Sequence, residues 1–234
     1  MTKNNIMSKS LNRKYKLSVS IMCADLLNLE KEIKILEKEQ VDYLHIDIMD
    51  AAFVPNLTFG PDMVNRIREI TSIPFDIHLL MKNPRTILSA LPVNEGDIVS
   101  IHAECDDVIM ENIAWIKHRN AKFGLALNPE TPIESVHKFL PYVDILLLML
   151  IVPGFAGTTM IHGMMEKVGA VKKYLQRHSL THVEIEVDGS VSCEKAKSMG
   201  KLGASYFVGG TTAIFRKKQS LRETIANFHT IMGE

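Results

Sequence analysis

The chain has 234 residues, 46% hydrophobic and 23% charged, which is enough for one sizeable core and fits a single large α/β domain. Its 27 basic and 27 acidic residues cancel to a formal net charge of zero, so no global field recruits nucleic acid or an anionic membrane, and a small neutral or cation-bridged ligand fits better. No apolar run approaches the roughly 20 residues of a membrane span. The longest, residues 145–152, is strand-sized, and a soluble protein is expected. Cys23, Cys105 and Cys193 lie far apart with no Cys-x-x-Cys pair, a pattern of reduced thiols that predicts a cytoplasmic location.

Residues 1–16 carry Lys3, Lys9, Arg13, Lys14 and Lys16 without an acid and lack the apolar core of a signal peptide. They are expected to form a loosely attached basic tail. From residue 17 to 234, short β-rich runs alternate with segments of helical period. The strand-like runs are 17–22, 43–48, 75–79, 98–102, 123–127, 143–149, 183–187 and 206–208. The helix-like stretches are 27–39, 61–70, 107–119, 132–139, 164–177, 193–199 and 221–232, each with apolar positions three or four apart among charged ones. Eight such strands predict a single (β/α)8 TIM barrel, with a doubly wound open sheet as the competing arrangement.

On that barrel, chemistry sits at the C-terminal ends of the strands. His45 and Asp47, His78, and Asp188 all fall late in their runs. Residues two apart on a strand share a face, so His45 and Asp47 should both point to the barrel axis. Two imidazoles and two carboxylates suit one divalent cation, and the carboxylates can also move protons. Asp47 and Asp188 are expected to approach a central ligand from opposite sides, a geometry for removing a proton from one face of a carbon and returning it to the other. Singly, each residue is more simply a satisfied strand-end polar group, a turn residue or a helix cap. Together, four at one end of one fold would bury uncompensated charge unless a cation or substrate were present.

A second group follows strands six, seven and eight: Pro153-Gly154-Phe155-Ala156-Gly157-Thr158-Thr159, Gly189-Ser190, and Gly209-Gly210-Thr211-Thr212. Glycines let backbone N–H groups approach a phosphate, and short hydroxyl residues add donors without bulk. Such loops are also ordinary turn chemistry, but their place after the last strands of a barrel favours a phosphate site.

His45-x-Asp47-x-Met49-Asp50-x-x-Phe53-Val54-Pro55-Asn56, Asp76-x-His78-Leu79, Leu127-Asn128-Pro129-x-Thr131-Pro132, Pro153-Gly154-Phe155 and Glu186-Val187-Asp188-Gly189 occur in that order over nearly the whole chain. This resembles the ribulose-phosphate 3-epimerase family. Within it, residues 20–27, Gly154-Phe155-Ala156-Gly157 and Val187-Asp188-Gly189-Ser190 look most like the D-allulose-6-phosphate 3-epimerase branch. The pentose-phosphate enzymes usually show Leu-Ser-Ala in the first stretch and two glycines after the aspartate.

The resemblance implies one divalent metal, zinc or iron before manganese or cobalt, held by His45, Asp47, His78 and Asp188. It implies that Asp47 and Asp188 are the acid/base pair working through a metal-stabilised cis-enediolate of a ketose phosphate. It assigns substrate contacts to Ser20 and His78, a water-excluding pocket wall to Met49 and Met149, and a phosphate grip to Gly154, Phe155, Ala156, Gly157, Gly189, Ser190, Gly210 and Thr211. It also suggests a homo-oligomer, dimer or hexamer. Ala51 stands where the family has Gly, Val152 where it has Asn or Asp, Leu80 where a methionine is common, and Val19 where Pro is usual. These departures bear on substrate preference and turnover rather than reaction type.

The expected activity is therefore interconversion of D-allulose 6-phosphate and D-fructose 6-phosphate. The alternatives are D-ribulose 5-phosphate epimerisation to D-xylulose 5-phosphate, a phosphosugar lyase, and a non-catalytic phosphosugar-binding paralogue.

Overall fold

The computed structural model describes residues 13–105 and 109–233. Eight parallel strands, β1 (Lys16–Ser20), β2 (Tyr43–Met49), β3 (Phe75–Leu80), β4 (Ile98–His102), β5 (Lys122–Leu127), β6 (Ile145–Met149), β7 (Glu184–Asp188) and β8 (Tyr206–Gly209), pair in chain order, and β8 closes on β1. Helices α1 (Leu29–Lys38), α2 (Pro61–Ile70), α3 (Arg85–Leu88), α4 (Ile109–Lys117), α5 (Met164–Arg177), α6 (Cys193–Leu202) and α7 (Leu221–Met232) run between and after the strands. The closed barrel displaces the open-sheet alternative.

Strand ends sit within two residues of the sequence expectation. Lys16, counted with the basic tail, is the first residue of β1 and pairs with Tyr206, while residues 1–12 lie outside the described residues. The helix expected over 132–139 is instead two 3-10 turns, Ile133–Val136 and Leu140–Tyr142. Pro141, in the second of these turns and just beyond that stretch, has no N–H to continue an α-helical ladder. The expected helix over 27–39 opens with a 3-10 turn, Leu26–Asn28, capped by the Asp25 carboxylate accepting from the Leu27 N–H at 3.1 Å. The single turn of α3 is too short to carry a periodic signal and has no counterpart among the expected helices.

Every strand is buried on both faces, which is why the runs read as nearly continuous apolar stretches. Alternate residues, such as Leu44, Ile46 and Ile48 or Phe75, Ile77 and Leu79, join one large apolar cluster with the inner faces of the helices. Phe228 of α7, fully buried, packs its ring 6.2 Å from that of Phe207 on β8. The interleaved residues fill the barrel interior. Tyr43, Ile98, Ile145 and Tyr206, one from each even strand, form a separate apolar layer across the lower end. Above it the odd strands contribute Ser18, Asp76, Gly124 and Glu186, a polar layer. A Cβ at Gly124 would stand 2.0 Å from Ser100 Oγ, so the interior admits only glycine at that position.

Candidate metal centre and active site

Strand alternation gives three pairs of inward residues on the polar side of the interior: His45 and Asp47 on β2, Asp76 and His78 on β3, and Glu186 and Asp188 on β7. His45 and His78 are fully buried, and Asp47 is 4% exposed. The register sets Asp47 beside His78 and His45 beside Asp76. One donor atom from each of His45, Asp47, His78 and Asp188 lies within 4.8 Å of all the others. Asp47 Oδ1 is 3.2 Å from His45 Nε2 and 3.3 Å from His78 Nδ1; Asp188 Oδ2 is 3.9 and 3.8 Å from the same nitrogens.

The aspartates come from strands three steps apart around the ring, through β1 and β8, rather than from strands diametrically opposed. They still converge, because each directs one oxygen to the same point near the axis. Two imidazole nitrogens and two carboxylate oxygens at this spacing, among buried walls, fit a divalent cation with room for further ligands.

The charges are arranged unevenly. Burial works against ionisation of Asp47, but the His45 charge and hydrogen bonds from His45 and His78 hold it below the usual carboxylate range. Burial pushes Asp188 up to about 7, with the Asp47 and Asp76 charges adding to it and His45 opposing. A cation at this point favours the ionised form of both. Beneath them, His45 Nδ1 lies 2.6 Å from Asp76 Oδ2, which also accepts from Ser18 Oγ at 2.6 Å. With Nδ1–H donated there, Nε2 is the nitrogen that His45 turns toward the donor cluster, where Asp47 Oδ1 lies 3.2 Å away. Glu186 is fully buried, and burial and the neighbouring Asp76 charge raise it well above the carboxylate range, which favours its neutral form. Its oxygens have no hydrogen-bond partner among the described residues, although one of them lies within 4.8 Å of a His45 nitrogen and an Asp76 oxygen.

Above the cluster a cavity opens between the ends of β1, β2, β6, β7 and β8. Ser20, Asp47, Met49, Met149, Gly154, Phe155, Ala156, Gly157, Asp188, Gly189, Ser190, Gly210 and Thr211 all line it. Ser20 Oγ donates to Asp47 Oδ2 at 2.9 Å. Gly189, at φ +103°, could not hold a Cβ, which would meet Ile151 at 2.5 Å. His78, read from the sequence as a substrate contact as well as a ligand, does not line the cavity but stands behind it beside Asp47. Val152 is 69% exposed and is not among the residues that line the cavity, although Ile151 and Pro153 on either side are.

Several supporting groups escaped the sequence reading. Asn56 Nδ2 donates to Gly154 O at 2.7 Å and ties the loop after β2 to the loop after β6. Lys195 Nζ reaches Ser190 O at 3.0 Å and Ser190 Oγ at 3.2 Å. His102 at the end of β4 places its Nε2 2.9 Å from His78 Nε2, and Glu104 accepts at His102 Nδ1 at 3.1 Å. Asp76 and Glu186 were accessible in principle, since each precedes a candidate ligand by two residues and so shares its face. Glu104 carries no such periodic signal because it lies beyond the strand.

Fold and site together define a (β/α)8-barrel enzyme with a cation-capable acid/base cluster below a glycine-lined cavity at its C-terminal mouth. Residues 16–215 match the model of the ribulose-phosphate 3 epimerase family. The chain is 38% identical over 196 residues to a ribulose-phosphate 3-epimerase of Bacillus subtilis (strain 168), covering 84% of this chain and 90% of that protein. A ribulose-phosphate 3-epimerase of Treponema pallidum (strain Nichols) is 32% identical, with 86% and 92% covered. Among solved structures, thiamine phosphate pyrophosphorylase from Pyrococcus furiosus superposes with a TM-score of 0.62 at 13% identity, covering 95% of this chain and 97% of that one, a likeness of fold alone. The chain belongs to the ribulose-phosphate 3-epimerase family and is an isomerase of the carbohydrate-phosphate epimerase type.

Proposed function

We propose that the chain is a metal-dependent 3-epimerase of ketose phosphates in which His45, Asp47, His78 and Asp188 hold the cation and Asp47 and Asp188 carry the protons. The observation behind this reading is the convergence of those four donors within 4.8 Å at the barrel mouth. When bound, a divalent cation supplies Lewis-acid polarisation of the sugar's C2 carbonyl and C3 hydroxyl oxygens. Zinc or iron suits the mixed donor set, as do manganese and cobalt.

The chain's own groups divide the remaining work. Each aspartate places one oxygen in the donor cluster and keeps the other for proton transfer. Asp47 Oδ2 is oriented by Ser20 Oγ, which leaves Asp47 defined in geometry while a proton moves. One aspartate takes the C3 proton and the other returns a proton to the opposite face of the cis-enediolate. Met49 and Met149, 6% and 2% exposed, form an apolar wall that keeps water from the carbanionic centre. The loops bearing Gly154, Gly157, Gly189, Ser190, Gly210 and Thr211 offer backbone N–H groups and hydroxyls to the phosphate.

The names of the relatives favour the five-carbon pair, D-ribulose 5-phosphate and D-xylulose 5-phosphate, as substrate. A second reading, the six-carbon pair D-allulose 6-phosphate and D-fructose 6-phosphate, rests on Ala156 and Ser190 in the cavity wall, where the pentose enzymes' pattern has a second glycine after the aspartate. Proton NMR in deuterated buffer tests both. Metal-loaded protein should wash the C3 proton from one pair with the larger kcat/KM, and absence of exchange on either pair would overturn the enzyme assignment. Light scattering on the same sample reads the homo-oligomer that the family resemblance implies.

A further inference from the structure

The side chains of the cavity wall carry charge of one sign. Among the described residues that line it, Asp47 and Asp188 are acidic and none is a lysine, arginine or histidine. A phosphate monoester bound there would meet glycine N–H groups and hydroxyls, but no protein cation in the wall itself. One stands directly behind it. Lys195 Nζ donates to Ser190 O at 3.0 Å and to Ser190 Oγ at 3.2 Å, and Ser190 is part of the lining.

Lys195 does its own helix little good. It is the third residue of α6, whose cap, Ser192 Oγ, accepts from the Lys195 N–H at 3.3 Å. A cation in the first turn of a helix opposes the helix dipole. The half-buried side chain instead folds back over five residues to the turn between β7 and α6. That turn runs through the left-handed region twice in succession, at Gly189 with φ +103° and at Ser190 with φ +53°, and the second of these carries a Cβ. The bond to Ser190 O pins the strained carbonyl. The bond to Ser190 Oγ bears on chemistry. An ammonium only donates, so it occupies a lone pair of the hydroxyl and leaves the hydroxyl hydrogen for an acceptor. Among the described residues Ser190 Oγ has no acceptor within bonding distance, and the cavity lies in front of it. A hydroxyl that accepts from a cation is also a stronger donor.

We propose that Lys195 is a positioning residue for the substrate's phosphate. Through Ser190 it aims a polarised hydroxyl into the cavity, and it places one positive charge a single side chain behind a wall without cations. The proposal rests on the reading of the chain as a ketose-phosphate enzyme whose phosphate grip includes Ser190, and it adds the residue that makes that grip favour a dianion.

Lys195→Met keeps the apolar stem and removes the ammonium, whereas Lys195→Arg keeps both charge and donors. C3 exchange by metal-loaded protein reads kcat and KM on the ketose phosphates, and inorganic phosphate as a competing inhibitor probes the grip without the sugar. Lys195→Met should raise KM and the phosphate inhibition constant roughly 10-fold each, with kcat within about twofold of wild type. Its KM should also climb less steeply with salt. Lys195→Arg should recover most of the loss. In a Ser190→Ala background, Lys195→Met should cost markedly less, because its partner hydroxyl is already gone. Unchanged KM and phosphate inhibition in Lys195→Met overturn the proposal, and so does a fall in kcat with KM unmoved, which is the signature of a turn that merely holds Asp188 in place. Phosphorus NMR titration with inorganic phosphate separates this from the reading beneath it. If the wild type exchanges no C3 proton yet binds phosphate in a Lys195-dependent way, the proposed function falls and the role of Lys195 stands; if it neither exchanges nor binds, both fall.

Discussion

Ala51 shows how a single residue departs from its fold's preference and still folds. It sits at φ +57°, its N–H donating to Asn56 O at 2.9 Å, in the tight loop that carries β2 into the cavity rim. The left-handed region costs a residue with a Cβ about 1–2 kcal/mol, and glycine's extra freedom in the unfolded chain returns part of that. Ala51→Gly should therefore stabilise the protein by about 0.5–1 kcal/mol, raising Tm by about 1–4 °C in a thermal scan. Ser190 at φ +53° poses the same question inside the cavity. If the Ser190 side chain favours a six-carbon substrate, Ser190→Gly shifts the kcat/KM ratio toward ribulose 5-phosphate; an unchanged ratio removes the residue from specificity. At the centre, Asp47→Asn and Asp188→Asn each keep the shape and remove a carboxylate proposed to carry a proton. Each should lower C3 deuterium exchange roughly 10²- to 10⁴-fold, and a variant that retains full exchange would exclude that aspartate from the acid/base pair.

At the scale of elements, the strands were legible because burial on both faces writes continuous apolar runs into the sequence, and the four candidate ligands stood out because they interrupt those runs at their C-terminal ends. The connections were harder. The stretch 132–139 carries helical periodicity but folds as a 3-10 turn that Pro141, in the next turn, does not let extend as an α-helix, and α3 has one turn, which no period can announce. Glu104 belongs to this less legible class, since its value comes from β4 ending beside the loop after β5. Hydrogen bonds from His102, Thr131 and Asn128 overcome its burial and hold it down at about 2, against an ordinary 4.5. Its folded value is depressed, so its contribution is fully present above about pH 4.5 and is lost as pH falls toward about 2. The side chain is 23% exposed, and the contribution is about 2–3 kcal/mol. Urea titrations of wild type and Glu104→Gln should show a stability gap at neutral pH that narrows through this acid window; a gap independent of pH would mean that the loop, rather than the carboxylate charge, supplies the stability.

The whole barrel binds these scales together, because its interior is not uniformly apolar. A layer of Ser18, Asp76, Gly124 and Glu186 lies between the apolar floor and the donor cluster, with Ser100 Oγ and both Glu186 oxygens lacking a hydrogen-bond partner among the described residues. Buried polar groups of this kind cost free energy unless something nearby compensates them. Strands β3 and β7, which carry Asp76 and Glu186 in that layer, also supply His78 and Asp188 to the donor cluster, and the neighbouring β2 supplies His45 and Asp47. A cation held by His45, Asp47, His78 and Asp188 would cross-link those strands at their ends and offset the convergence of carboxylates. Any ligand that binds only the folded chain stabilises it, by about 2.7 kcal/mol at a hundredfold excess over Kd. For a chain of this length that corresponds to about 5–10 °C in Tm. Chelator-stripped protein should therefore melt about 5–10 °C below zinc-saturated protein and lose C3 exchange, with both restored by adding zinc back. In His45→Gln the zinc-dependent part of the Tm should shrink most of the way to zero while the metal-free Tm changes separately. A full zinc shift in that variant would place the stabilising ion elsewhere and sever the link between the buried polar layer and the catalytic mouth.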